Sequence, residues 1–141
     1  MKELVVKSLT DNLDDVIEFV DKELEGCACS AKTLTQINVA VEELFVNIAH
    51  YAYGDETGLA TIRVELSEDR NAVMITFIDS GKPYDPLAKP DPDTTLSVEE
   101  RQIGGLGIFM VKKSMDDVTY EYKDGKNILT IKKYLMSDKQ P

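Results

Sequence analysis

The chain has no tryptophan, one histidine and two cysteines, and aromatic residues make up 7% of its 141 residues. Each scarcity excludes something. Cys27 and Cys29 form a C-x-C that is too close for an ordinary disulfide and lacks the further Cys or His partners that a zinc site needs. They read as two reduced thiols in a turn, with a low-affinity metal or redox role as the alternative. No apolar run is long enough to span a bilayer, and the N-terminal "MKELVVKSLTDNL" has neither the apolar core nor the cleavage site of a signal peptide. A cytoplasmic protein with no membrane partner is expected. Basic residues are also short: 16 Lys and Arg face 26 Asp and Glu, a net charge of −10. Such a surface repels nucleic acid and anionic lipid, and favours basic proteins or metal-neutralised anions.

What is present suffices for one domain. The length fits a single core, and 43% of the residues are hydrophobic. "ELVVKS" reads as a first strand at a sheet edge. Leu13, Val16, Ile17, Val20 and Leu24 then recur at helical spacing, and Gly26 follows as a C-cap. A second helix is expected from Ser30 to Tyr51, with Leu34, Ile37, Val41, Leu44, Phe45 and Ile48 on one face. Gln36, Glu43, Asn47 and His50 fall on the opposite arc. "LATIRVELS" and "AVMITFID" alternate apolar and polar residues around "EDRN" and predict a hairpin.

An irregular stretch follows, from Lys82 to Ile103. A helix is expected over Gly105–Met115, with Ile108, Val111 and Met115 inward and Lys112 and Lys113 near its C-terminal end. A last hairpin turns at Asp124-Gly125. The order β-α-α-β-β-loop-α-β-β predicts an α/β (α+β) sandwich of two layers: a mainly antiparallel, mixed sheet of about five strands with three helices on one face.

Connections between packed elements usually run about 4–6 residues, so the stretch at 82–103 is long. Its prolines at 83, 86, 90 and 92 and acids at 85, 91 and 93 argue against a packed strand or helix, although Ser97-x-x-Glu100 matches a capping box. A lid over a ligand and an insertion of no consequence are the two readings. At its head, Asp79-Ser80-Gly81 offers an acceptor for a ligand amine and a glycine that admits close approach; a plain turn is the alternative. At its foot, Gly104, Gly105 and Gly107 open a helix whose free N–H groups suit a phosphate. Glu43 and Asn47, at i and i+4, point the same way. The Asn carbonyl suits Mg²⁺ and the carboxylate suits a general base, with a solvated helix face as the bland reading. Arg101 is either a contact to a terminal phosphate or part of a salt bridge within the lid. His50 reads as a hydrogen-bonding residue at the helix end, and Tyr51 and Tyr53 as packing there.

Three stretches in this order carry a resemblance. "EELFVNIAHYAYG" resembles the N-box of the GHKL (Bergerat-fold) ATPases, "FIDSGKPYDP" their D-x-G box, and "GGLGIFMVKK" their second glycine box. Spacing and length are most similar to the anti-sigma-factor serine/threonine kinases of bacterial partner-switching systems, the RsbW/SpoIIAB-like branch. The resemblance implies one ATP-binding domain over residues 1–141 with its ATP lid at about 82–103. It implies Glu43 as general base, Asn47 as Mg²⁺ ligand, Asp79 as acceptor from the adenine amino group with Gly81 beside the base, and Gly105 and Gly107 as phosphate-holding glycines. The N-box ending departs from the family's N-x-x-x-His-Ala-Tyr, because His50 is displaced by one and Tyr51 stands in its place.

The implied reaction moves the γ-phosphoryl of ATP to a Ser or Thr of a STAS-domain anti-sigma-factor antagonist, with sequestration of a sigma factor and homodimerisation as further family traits. The alternatives are an ATP-binding partner-switching regulator that transfers nothing, a detached histidine-kinase catalytic domain, and a purely structural module.

Overall fold

A computed structural model of the chain describes residues 1–88 and 105–136, with no side-chain description at 105 and 106. In chain order it contains β1 (Lys2–Lys7), α1 (Leu13–Leu24), α2 (Ala31–Tyr51), β2 (Leu59–Leu66), β3 (Ala72–Asp79), α3 (Gly105–Ser114), β4 (Asp117–Lys123) and β5 (Lys126–Tyr134), with short 3₁₀ turns at Thr10–Asn12 and Pro86–Ala88. The sheet order is β1-β2-β3-β5-β4. All four pairings are antiparallel, which corrects the expectation of a mixed sheet. The reason lies in the last hairpin. β4 takes the far edge, and β5 turns back from it to lie antiparallel to β3, so no strand pair has to run parallel. Asp124 (φ 54°) and Gly125 (φ 77°) both sit in the left-handed region that a tight two-residue hairpin turn demands.

The helices form where apolar periodicity and capping agree. Ser30 caps α2, its hydroxyl accepting from Thr33 N at 3.1 Å; such a cap contributes about 1 kcal/mol. Ile37, Val41, Leu44, Phe45 and Ile48 of α2 are buried together with Val16, Val20 and Leu24 of α1 against Ile62, Val64, Ile75, Phe77, Leu129 and Ile131 of the sheet. Ile108, Val111 and Met115 close the core from the α3 side. Full burial of each large side chain contributes roughly 1.5–3 kcal/mol, so truncating Phe45, which is 0% exposed, removes one of the largest single contributions. The opposite face of the sheet carries polar pairs, such as Thr76 with Thr130 at 3.1 Å and Arg63 with Glu3 at 2.7 Å. The result is two layers.

Among the described residues no helix is long and apolar enough to cross a membrane. The capping-box match at Ser97 and Glu100 lies outside the described residues, as does most of the stretch assigned to a lid. Its described beginning corrects one expectation. Pro86–Ala88 forms a 3₁₀ turn with Pro86 buried, because Asp85 caps it: its carboxylate accepts from Leu87 N at 2.8 Å. A proline at the first position of such a turn loses no hydrogen bond.

Candidate nucleotide site

The second helix ends, and β3 ends, on the same side of the sheet, and a cleft lies between them. It encloses about 410 Å³ of non-protein space, counting its open mouth. Leu44, Ile48, Tyr51, Pro86 and Leu129 give it apolar walls, and Asn47, Asp79, Tyr120 and Asn127 put polar groups into it. A mostly apolar slot with a few converging polar groups suits a flat heterocycle with an exocyclic amine.

Asp79 is the last residue of β3 and is 6% exposed. One carboxylate oxygen, Oδ1, accepts from Gly81 N at 2.9 Å and from Asn127 Nδ2 at 2.9 Å. The other, Oδ2, has no hydrogen-bond partner among the described residues and is the oxygen left for a ligand. Gly81 is required for a reason the sequence did not suggest. A Cβ there would overlap the backbone carbonyl of Ala52, at the C-terminal end of α2, and Lys82 N donates to that same carbonyl at 2.9 Å. The close approach is thus between two chain segments. Tyr53 fastens the turn from the other side, its hydroxyl accepting from Ser80 N at 2.8 Å while donating to Leu59 O. It packs at the helix end, as expected, and acts as a clip.

Asn47 and Glu43 are not a solvated face. Both are half-buried, and Asn47 lines the same cleft as Asp79. Glu43 lies against α3: a Cβ added to Gly107 would overlap its carboxylate. Gly107 is the third residue of α3, in the turn where backbone N–H groups have no partner within the helix. The α2–α3 contact therefore brings the carboxylate to the positive end of a helix dipole. Gly105 begins that helix, whereas Gly104 and Arg101 lie outside the described residues. His50 is exposed and stands edge-on to the Tyr51 ring at 6.0 Å, with no hydrogen bond among the described residues, so its expected helix-end bond is replaced by a ring contact. Cys27 and Cys29 are free thiols, and Arg70 Nη2 reaches Cys27 Sγ at 3.4 Å. No group of three or more potential metal-ligating side chains occurs among the described residues.

The sequence motifs contained neither Asn127 nor Tyr120. Tyr120, on β4, donates its hydroxyl to Asn127 Oδ1. Burial pushes that phenol above its usual range, with the Asp85 and Asp79 carboxylates adding to the rise and the Tyr84 backbone amide opposing it. The hydroxyl thus keeps its proton and serves as a donor. An asparagine inside an apolar strand, where this residue type is depleted, is the signal that could have found the network.

A family model for the histidine kinase-like ATPase domain matches residues 6–133. The serine-protein kinase RsbW of Listeria monocytogenes is 29% identical over 108 residues, which are 73% of this chain and 68% of that protein. The serine/threonine-protein kinase BtrW of Bordetella bronchiseptica is 28% identical over 102 residues, 72% of this chain and 71% of that protein. Among solved structures, the RsbU and RsbW domains of a Mycobacterium tuberculosis protein superpose with a TM-score of 0.63 at 14% identity, covering 96% of this chain and 33% of that one. A blue-light activated histidine kinase of Erythrobacter litoralis gives 0.61 at 15% identity, covering 94% of this chain and 43% of that one. At such identities the likeness is one of fold.

Proposed function

The chain belongs to the histidine kinase-like ATPase domain family, and on that premise we propose that it is a single ATP-binding domain that acts as a protein serine/threonine kinase of the anti-sigma-factor type. The observation that carries the reading is the convergence of Asn47 and Asp79 on one apolar-walled cleft, with Glu43 laid against the first turn of α3 beside it. The similarity to serine-protein kinases supports the reaction class.

The roles follow from the donor set. The free Oδ2 of Asp79 accepts from the 6-amino group of adenine, and the apolar walls take the faces of the ring. The Asn47 carbonyl oxygen is a hard ligand of the kind Mg²⁺ prefers. Bound Mg²⁺ would neutralise phosphate charge. Glu43 orients the hydroxyl of the acceptor Ser or Thr and takes its proton, a role whose removal usually costs about 10²–10⁴-fold in rate. Gly105 and Gly107 are assigned to the phosphates by their family positions, Gly104 by its place in the same glycine-rich stretch and Arg101 by its place in the sequence just before the glycines, and residues 82–103 are assigned to the lid. The acceptor is a STAS-domain anti-sigma-factor antagonist, a sigma factor is the alternate partner, and the protein works as a cytoplasmic homodimer.

The test is incubation of the full chain with γ-labelled ATP, Mg²⁺ and a purified STAS-domain partner. Acid-stable label on the partner is expected. Tight ATP binding with no transfer would instead favour a non-catalytic regulator, and acid-labile label would indicate histidine phosphorylation.

A further inference from the structure

Asn127 is the second residue of β5, is 6% exposed, and stands directly opposite Asp79 in the β3–β5 register. A carboxamide has two donor hydrogens and two acceptor lone pairs, and here all four are used. Nδ2 donates to Asp79 Oδ1 at 2.9 Å and to Lys82 O at 2.9 Å. Oδ1 accepts from Tyr84 N at 3.1 Å and from the Tyr120 hydroxyl. Turning the amide over would set an NH₂ against two donors and a carbonyl against two acceptors, so its orientation is fixed by its neighbours.

We infer that Asn127 is a positioning residue that sets purine specificity, holding the Asp79 carboxylate so that one defined oxygen meets the base and tying that carboxylate to the backbone at Lys82 and Tyr84. The inference rests on the reading of Asp79 as the adenine acceptor. With Oδ1 occupied by two N–H donors, Oδ2 is left as the acceptor that Asp79 can offer to the cleft it lines. It pairs with the 6-amino group of adenine and repels the 6-oxo group of guanine. A carboxylate released from Asn127 keeps only the Gly81 N–H on Oδ1, a single bond about which it can swing, so it is less firmly preorganised for the amine. Discrimination by a buried polar site depends on that fixity, because the wrong base must leave a polar group unpaired.

The experiment is titration of the full chain with Mg-ATP and Mg-GTP by calorimetry, for the wild type, Asn127→Ala and Tyr120→Phe. The wild type is expected to prefer ATP. In Asn127→Ala the ATP affinity should fall about 10-fold or more while GTP affinity stays within about 2-fold, so the preference shrinks. A purely structural role would weaken both nucleotides in step. Tyr120→Phe removes one hydroxyl and nothing else from the network, and should narrow the preference about 2- to 5-fold; it carries the test alone if Asn127→Ala does not fold. An ATP preference that survives these substitutions unchanged overturns the inference while leaving the functional reading in place. Wild-type protein that binds neither nucleotide overturns both.

Discussion

The two ends of the cleft are held in different ways. At the end assigned to adenine, polar atoms are fixed by hydrogen bonds from strands and from the segments beside them: Asp79 by Asn127, Asn127 by Tyr84 and Tyr120, Ser80 by Tyr53. At the end assigned to the phosphates, the Glu43 and Asn47 side chains make no hydrogen bond among the described residues, and α2, which carries them, is placed by packing against the sheet and α3. The sheet supplies short-range register, with every strand neighbour fixed by backbone bonds. Two packed helices supply a contact without such a register, and Glu43 meets α3 at Gly107 through the far end of a long side chain. An end that reads a base benefits from rigidity, because discrimination needs groups that cannot re-pair. An end that must admit phosphates, metal and a second protein benefits from side chains that can re-aim.

The largest expected effect breaks the second end alone. Glu43→Ala should slow phosphotransfer about 10²- to 10⁴-fold while ATP affinity, measured separately, stays near the wild-type value. A mutant that transfers at the normal rate would remove the proton-accepting role. Next in size is Asp79→Asn, which breaks the first end. It sets an NH₂ where an acceptor is needed, either toward the base or toward the two donors now held by Oδ1. ATP affinity should fall roughly 10- to 100-fold. Unchanged Mg-ATP affinity in this mutant means that the base does not bind at Asp79.

The same contrast explains what could be read before the fold was known. Helices and strands were legible because Val16, Val20 and Leu24 repeat at 3.6 residues and Ala60, Ile62 and Val64 at two, and burial follows both periods. That Glu43 and Asn47 share one face of α2 was legible because residues i and i+4 of a helix lie one above the other, a purely local relation. Asn127 was not, because its role comes from a strand register that sets it opposite Asp79, 48 positions earlier in the chain. Gly81 was noticed as a place for a ligand to approach, whereas its contact with the end of α2 was not legible, because nothing local says that this helix end will come to rest on it. Asp85 was counted among residues of an irregular segment, although Asp-Pro is a turn-opening pair and here caps the turn at Pro86–Ala88.

The smallest effects make the sharpest comparison, since both come from adding one methyl group. At Gly81 the new Cβ would meet the backbone carbonyl of Ala52, which is fixed as the C-terminal end of α2 and already accepts from Lys82 N. Backbone cannot step aside, so Gly81→Ala should destabilise the fold by about 1–3 kcal/mol, seen as a lowered melting temperature. At Gly107 the new Cβ would meet the far end of the Glu43 side chain, which can rotate away. Replacing a helical glycine with alanine also gains up to about 1 kcal/mol of helix propensity, so the stability of Gly107→Ala should stay within about 1 kcal/mol of the wild type. Its cost should appear in phosphotransfer, because a displaced Glu43 no longer lies where the acceptor hydroxyl arrives. Equal melting losses in the two variants would mean that the phosphate end is as rigid as the adenine end. A Gly107→Ala protein that melts normally but transfers slowly locates the flexibility in one side chain, Glu43, and leaves the helix pair itself fixed.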